Sequence, residues 1–210
     1  MPHFTLYVDS RHTSPYAMSV YVALTEKGVP FTLEHLDLAA GAQREAPYLA
    51  RSLTGRVPML QDGAFALSES SAITEYLDEL LPPPGYRGLY PPSRTARAHA
   101  RQLQAWLRSD LAELREARPT TTVFGPPAGT PLPAAAAADA ARLVACAEAL
   151  LPPGAEHLFG AWSIADTDLA LMLQRLLHNG DPLPARLAAY AEHQWRRPSV
   201  ANWLALPRPF

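Results

Sequence analysis

The chain has 210 residues, 48% of them hydrophobic, with 18 Lys and Arg against 20 Asp and Glu and a formal net charge of −2 at pH 7. That length can bury a substantial core in one large domain or two modest ones, and the charge balance excludes bulk attraction to nucleic acid or an anionic membrane. A single cysteine, Cys146, excludes an intrachain disulfide and a Cys-x-x-Cys redox pair, and the seven histidines form neither His-Glu-x-x-His nor a His/Cys cluster, so no metal is expected.

The start, Met1-Pro2-His3, has no basic region followed by an apolar run, and no apolar stretch approaches the roughly 20 residues that span a bilayer. The expectation is a soluble, cytoplasmic protein. Phe4 to Val8 alternates apolar and polar residues and predicts a first strand. A polar loop, Asp9 to Thr13, leads to Ser14-Pro15, an N-cap serine followed by proline at the first helical position, and Gly28 stops the helix after Lys27. Pro30 to Leu36 alternates again as a second strand, and a helix is expected near Ala46 to Arg51. Two short runs, Met59-Leu60 and Phe65-Ala66-Leu67, flank Asp62-Gly63 as a β-hairpin does. Ser70 then opens the apolar-periodic segment to Leu81.

The order of this half is βαβαββα, with the first two strands parallel through a helical crossover and the hairpin adding an antiparallel edge. Pro82-Pro83-Pro84-Gly85 begins a linker reaching about Pro92. Beyond it all patterns are helical. Arg94 to Arg118 is a long segment in which Leu103, Trp106, Leu107, Leu111 and Leu114 recur at helical spacing. Thr120 to Pro133, rich in Gly and Pro, reads as a loop whose length suits a lid or a partner contact. Alanine-rich Ala134 to Leu151 is a helix with Leu143, Val144, Ala147 and Leu150 aligned. Ser163 to Leu177 is the buried helix of this half, and its Ser163 to Asp166 start is a capping box with Asp for Glu. Two short helices, from Pro184 and Pro198, close the chain. The 22 prolines fall at segment ends, as punctuation.

The stretch Arg56 to Ile73 has chemical uses. A cis Val57-Pro58 bond would leave the N–H and C=O of Val57 free for an extended ligand. The start of the Ser70 helix offers orphan N–H groups and a hydroxyl to a carboxylate. Each feature alone is equally an ordinary strand opening or an ordinary N-cap; their occurrence in order favours a site.

Val57-Pro58, the hairpin and Glu69-Ser70-Ser71-Ala72-Ile73 resemble the glutathione-binding half of the thioredoxin-like domain in cytosolic glutathione transferases. The serine-to-aspartate box at Ser163 to Asp166 resembles that of the family's core helix, so the resemblance covers both halves of the chain. It implies a thioredoxin-like α/β domain over residues 1–81, a linker over 82–92 and an all-helical domain over 93–210 that contributes the second-substrate pocket. It further implies that Val57 pairs with the cysteinyl backbone of glutathione beside cis-Pro58, and that Glu69 and Ser70 hold its γ-glutamyl end, with Arg56 available to a glutathione carboxylate.

In the serine-type branch, a serine in the first loop donates to the sulfur of glutathione, which assigns catalysis to Ser14, with Thr13 and Ser10 as competitors and Tyr7 expected to pack. A donor aimed at the thiolate lowers its pKa, and the helix terminus adds to this. Lowering it from roughly 8.5 by about two is worth about 2.7 kcal/mol. His12, Tyr16, Trp106 and Phe124 are the candidate pocket for the second substrate; Trp162, Trp195 and Trp203 read as packing. Ser14-Pro15-Tyr16 and the run Gln104 to Leu111 resemble a small bacterial branch described as peroxidases and disulfide reductases as well as transferases. The expectation is a homodimeric, glutathione-dependent enzyme acting on small electrophiles, peroxides or disulfides. The alternatives are a glutathione-dependent isomerase and a non-enzymatic ligand-binding protein of the same fold.

Overall fold

In a computed structural model, which describes residues 3–208, the chain divides into two compact units. One runs through Leu89 and takes in the stretch from Asn202 onward; the other is Tyr90–Ala201.

The first unit is built on β1 (Phe4–Asp9), whose Phe4, Leu6 and Val8 are fully buried. Pro15 opens α1 (Pro15–Lys27), and Gly28, at φ 65°, ends it in the left-handed conformation that costs glycine no Cβ clash. α1 carries the chain to β2 (Phe31–Leu36), parallel to β1 as the crossover rule requires. A single turn, α2 (Ala46–Leu49), precedes β3 (Met59–Asp62) and β4 (Phe65–Ser68), which give the sheet order β2-β1-β3-β4 with both later pairings antiparallel. The helix expected near Ala46 to Arg51 is thus shorter than the sequence reading, and only Tyr48 of it is buried. Then follows α3 (Ser70–Leu80), whose Ile73 and Leu77 meet the buried face of α1. The Lys27 ammonium is buried among Asp78 Oδ1 and the Leu81 carbonyl, 2.8 Å from each, and that carboxylate oxygen also accepts Leu89 N–H. The expected βαβαββα order is the observed one.

The second unit is all-helical: α4 (Arg94–Ser109), α5 (Ala112–Ala117), α6 (Thr121–Phe124), α7 (Ala134–Leu150), α8 (Ile164–Leu177), α9 (Ala185–Trp195) and the beginning of α10 (Pro198–Leu204). Its core helix is α8, buried everywhere except Asp168 and Leu177. The Asp166 carboxylate accepts from Ser163 N–H (2.8 Å), the Ser163 hydroxyl (3.0 Å), Leu158 N–H (2.8 Å) and the Tyr190 hydroxyl (2.9 Å), so the capping box also ties in a loop and α9.

One segment is resolved further and one expectation is corrected. Arg94 to Arg118 is two helices, because the Asp110 carboxylate accepts Leu111 N–H at 2.6 Å and so competes with the helical ladder. Leu111 turns to φ 59° with its side chain fully buried, and Asp139 receives Leu114 N–H at the start of α5. Within Thr120 to Pro133, one helical turn, α6, replaces irregular loop. Asn179 accepts Ala128 N–H (2.7 Å) and Arg118 donates to the Thr130 carbonyl (2.7 Å), holding the segment down.

Candidate active site

Strand register gathers the predicted residues at one end of the sheet. The β1–β3 ladder ends at Tyr7 opposite Met59, and the β3–β4 ladder ends at Met59 opposite Ser68. The chain leaving β1 toward Ser14, the Val57-Pro58 pair entering β3 and the Glu69-Ser70 pair leaving β4 therefore lie at the same end of the sheet. Val57 stands outside both ladders, and its bond to Pro58 is cis.

The loop from β1 to α1 is organised by a residue that sequence reasoning passed over. Asp9, 4% exposed, accepts from Thr13 N–H (2.7 Å) and the Thr13 hydroxyl (2.9 Å) at one oxygen and from Ser14 N–H (3.0 Å) at the other. The Thr13 hydroxyl hydrogen is thereby committed. Ser14 differs: its Oγ accepts Ala17 N–H at 3.2 Å as the N-cap of α1, an acceptor's role that leaves its own hydrogen available. The signal for Asp9 was present as an acidic residue four and five positions before Thr13 and Ser14, the spacing of a loop folded back on its own backbone.

Tyr7 is committed elsewhere, its hydroxyl donating to Gln61 Oε1 (3.1 Å) and accepting from Arg51 (2.7 Å). The Tyr48 hydroxyl donates to the Arg56 carbonyl at 2.7 Å, which fixes the chain just before Val57, and burial pushes the Tyr48 hydroxyl up to about 12, so it stays a donor. The buried hydroxyls of Ser52 and Ser68 pair at 3.0 Å, and Ser52 also accepts Gly55 N–H, bracing the same approach. The Arg56 side chain is exposed.

At the start of α3 the cap position belongs to Glu69 rather than Ser70, which is the first helical residue and 3% exposed. Glu69 is exposed and sits at φ 73°, ψ 112°, a conformation that costs a side-chain-bearing residue of order 1–3 kcal/mol and clusters at ligand clamps.

The four residues read as the second pocket have separate surroundings. Tyr16 is half-buried in the first turn of α1. His12 is 3% exposed with both ring nitrogens engaged, Nδ1 with the Pro207 carbonyl (2.7 Å) and Nε2 with His35 Nε2 (2.9 Å). Trp106 lines a cavity of about 430 Å³ with Leu103, Cys146 and Leu150, while Phe124 stacks on Trp195 with centroids 6.4 Å apart. Trp162 and Trp203 are buried, as read. Glu156, His157 and His193 bring one ligating atom each within 4.8 Å, but the His157 Nδ1 lone pair receives Gln194 Nε2 at 3.1 Å and the Arg197 charge acts on the same ring, which is the arrangement of a packed histidine pair.

Comparison with known proteins identifies the family. Residues 13–80 match the family described as Glutathione S-transferase, N-terminal domain, and residues 94–208 match Glutathione S-transferase, C-terminal domain. Glutathione S-transferase theta-2 of Rattus norvegicus is 30% identical over 128 residues, 61% of this chain and 51% of its own, and Glutathione S-transferase F6 of Arabidopsis thaliana is 41% identical over 58 residues, 28% of each. The matched stretches thus span a quarter to a half of these curated relatives. Among solved structures, a glutathione transferase homologue from Burkholderia GL BGR1 with bound glutathione is 44% identical over 96% of both chains with a TM-score of 0.79. The theta class enzyme of Xanthomonas axonopodis pv. citri, also with glutathione bound, is 25% identical over 99% of both at 0.76. With a thioredoxin-like unit followed by a helical one, and both family domains matched in order, the chain belongs to the glutathione S-transferase family.

Proposed function

We propose that the protein binds glutathione at the end of the sheet formed by Val57-Pro58 and Glu69-Ser70 and that the Ser14 hydroxyl stabilises the bound thiolate. The observation that carries this is the division of labour in the first loop. The Thr13 hydroxyl is spent on Asp9 and the Tyr7 hydroxyl on Gln61, while Ser14 Oγ accepts one N–H and keeps its hydrogen to give. The N-terminus of α1 adds its favourable potential for an anion.

The chemistry follows from a thiolate in that place. The glutathione thiol loses its proton to solvent, and sulfur attacks an electrophilic carbon, forming a C–S bond as the leaving group departs with the bond pair. On a peroxide, sulfur takes one oxygen and an alcohol leaves; a second glutathione then yields glutathione disulfide and water. On a disulfide, the thiolate displaces one sulfur as thiolate. The protein forms no covalent bond in any of these.

Glutathione itself is oriented by the N–H and C=O of Val57, lying outside the ladder, by the helix start at Ser70 and by Glu69, with Arg56 exposed toward a carboxylate. Of the residues read as second-substrate contacts, Tyr16, in the first turn of α1 close to Ser14 in the chain, is the one the reading keeps. The reading includes a cytoplasmic homodimer in which the first unit of one copy meets the Arg94 to Arg118 region of the other. Light scattering that returns the mass of a single 22.9 kDa chain at all concentrations would remove that part.

Calorimetric titration of glutathione into Glu69→Ala/Ser70→Ala tests the binding site. Loss of two polar contacts at about 1–2 kcal/mol each predicts affinity down by about 30-fold or more. Affinity equal to wild type would place glutathione elsewhere.

A further inference from the structure

His12 holds a position that the thiolate chemistry does not use. It lies three residues after Asp9 and two before Ser14, at φ 50°, in the loop just described. Its Nδ1 faces the Pro207 carbonyl, which can only accept, so Nδ1 carries the ring hydrogen and Nε2 of the neutral ring is an acceptor. His35, at the end of β2, therefore donates from its own Nε2. The hydrogen bonds run in one direction, from His35 through His12 to Pro207. Trp203 packs edge-on against the His12 ring at 5.5 Å and also against Tyr21 of α1 at 5.3 Å. The Arg208 guanidinium closes the stretch on itself through the carbonyls of Trp203, Leu204 and Leu206. The charged and titratable groups facing the ring are His35, Asp9 and Arg208. Residues 203–208 are thus fastened through the His12 side chain to the loop that aims Ser14, with the Arg208 charge also acting on Asp9.

We propose that His12 is a positioning residue: it locks the β1–α1 loop to the C-terminal stretch, so that the aim of the Ser14 hydroxyl at the glutathione sulfur depends on the hydrogen bond from His12 to Pro207. The proposal rests on the Ser14 reading. Asp9 holds the loop from inside through Thr13 and Ser14, and the His12 ring holds it from the other side, so release of either lets the short loop rotate about its backbone. His12 and Pro207 are not among the residues proposed to hold glutathione, so its affinity is expected to change little while thiolate stabilisation is lost.

The test compares the bound-glutathione thiol titration of wild type with that of five variants, the fifth combining His12→Phe with the shortened chain. His12→Phe keeps an aromatic ring against Trp203 and removes both hydrogen bonds. His12→Asn suits the positive φ and restores a donor near the place of Nδ1. A chain ending at Leu206 removes the acceptor together with the Arg208 guanidinium that closes the stretch. Ser14→Ala is the control.

His12→Phe and the shortened chain are each expected to raise the bound thiol pKa by about one, which is about tenfold less thiolate below it. Glutathione affinity should stay within about twofold, the two changes combined should do no more than either alone, and His12→Asn should recover most of the effect. A wild-type thiol pKa in both His12→Phe and the shortened chain overturns the proposal; should His12→Phe not fold, the shortened chain decides alone. If Ser14→Ala itself leaves the thiol unchanged, the Ser14 reading fails instead, and the two failures are distinct.

Discussion

Ser14, Thr13 and Asp9 divide one task at the scale of single side chains. A serine before proline at a helix start is legible in the sequence as an N-cap, and the structure makes it one. What the sequence left open was which of Ser10, Thr13 and Ser14 has a hydrogen to give, since a hydroxyl's commitments depend on where its partner's carboxylate folds. Asp9 narrows the choice by accepting the Thr13 hydroxyl and the backbone N–H of Ser14, which leaves Ser14 and Ser10 as the hydroxyls it does not take. Asp9→Ala leaves two loop N–H groups without that acceptor and should cost about 2 kcal/mol, read as a lower urea midpoint at constant m value. It should also release the Thr13 hydroxyl and reduce turnover. Unchanged stability would mean that solvent replaces the carboxylate at no cost.

At the scale of elements, the starts of helices were read better than their interiors. Proline and serine fix α1 and α10, and the Ser163 to Asp166 box fixes α8, because these are local rules between residues three or four apart. The break between α4 and α5 escaped notice because Leu103, Leu107, Leu111 and Leu114 keep helical spacing across it. The cause is tertiary: Arg142, from α7, holds Asp110 at 2.9 Å and Asp139 at 2.6 Å, and these carboxylates take Leu111 and Leu114 N–H. The Glu69 cap was likewise hidden, since no propensity scale places a glutamate at φ 73°. The box on α8 carries an expected cost. Asp166→Ala leaves Leu158 N–H, Ser163 N–H and the Tyr190 hydroxyl buried without their shared acceptor, and stability should fall by about 3 kcal/mol or more in urea. Retention of the wild-type midpoint would show that the box positions nothing.

For the molecule as a whole, stability responds to pH through two imidazoles, His12 buried and His157 half-buried. Burial, with His35 and Arg208 against Pro207 and Asp9, holds His12 below its ordinary value. Burial, with His193 and Arg197 against Asp166 and Glu156, does the same for His157. In the unfolded chain both titrate near 6.5, so as pH falls through that range the unfolded state takes up protons that the folded state refuses. Stability is therefore full above about pH 7.5 and declines toward pH 5.5. A His157→Asn variant should show a shallower decline, and an identical slope would contradict the assignment. No helix among the described residues is long and apolar enough to cross a membrane. The two-part organisation was legible from the switch of period and the proline run near residue 82. The attachment of the stretch from Asn202 to the first unit was not, because Trp203 and Pro207 meet His12 across nearly the whole length of the chain.

The central claim is that Ser14 stabilises the glutathione thiolate, and an ultraviolet pH titration of the thiol bound to wild type and to Ser14→Ala tests it most directly, with calorimetry verifying that both bind. The account predicts a thiol pKa about two below the free value of roughly 8.5 in wild type, returning most of the way in the variant. A depressed value that survives the substitution, or one that is absent from wild type, would contradict it.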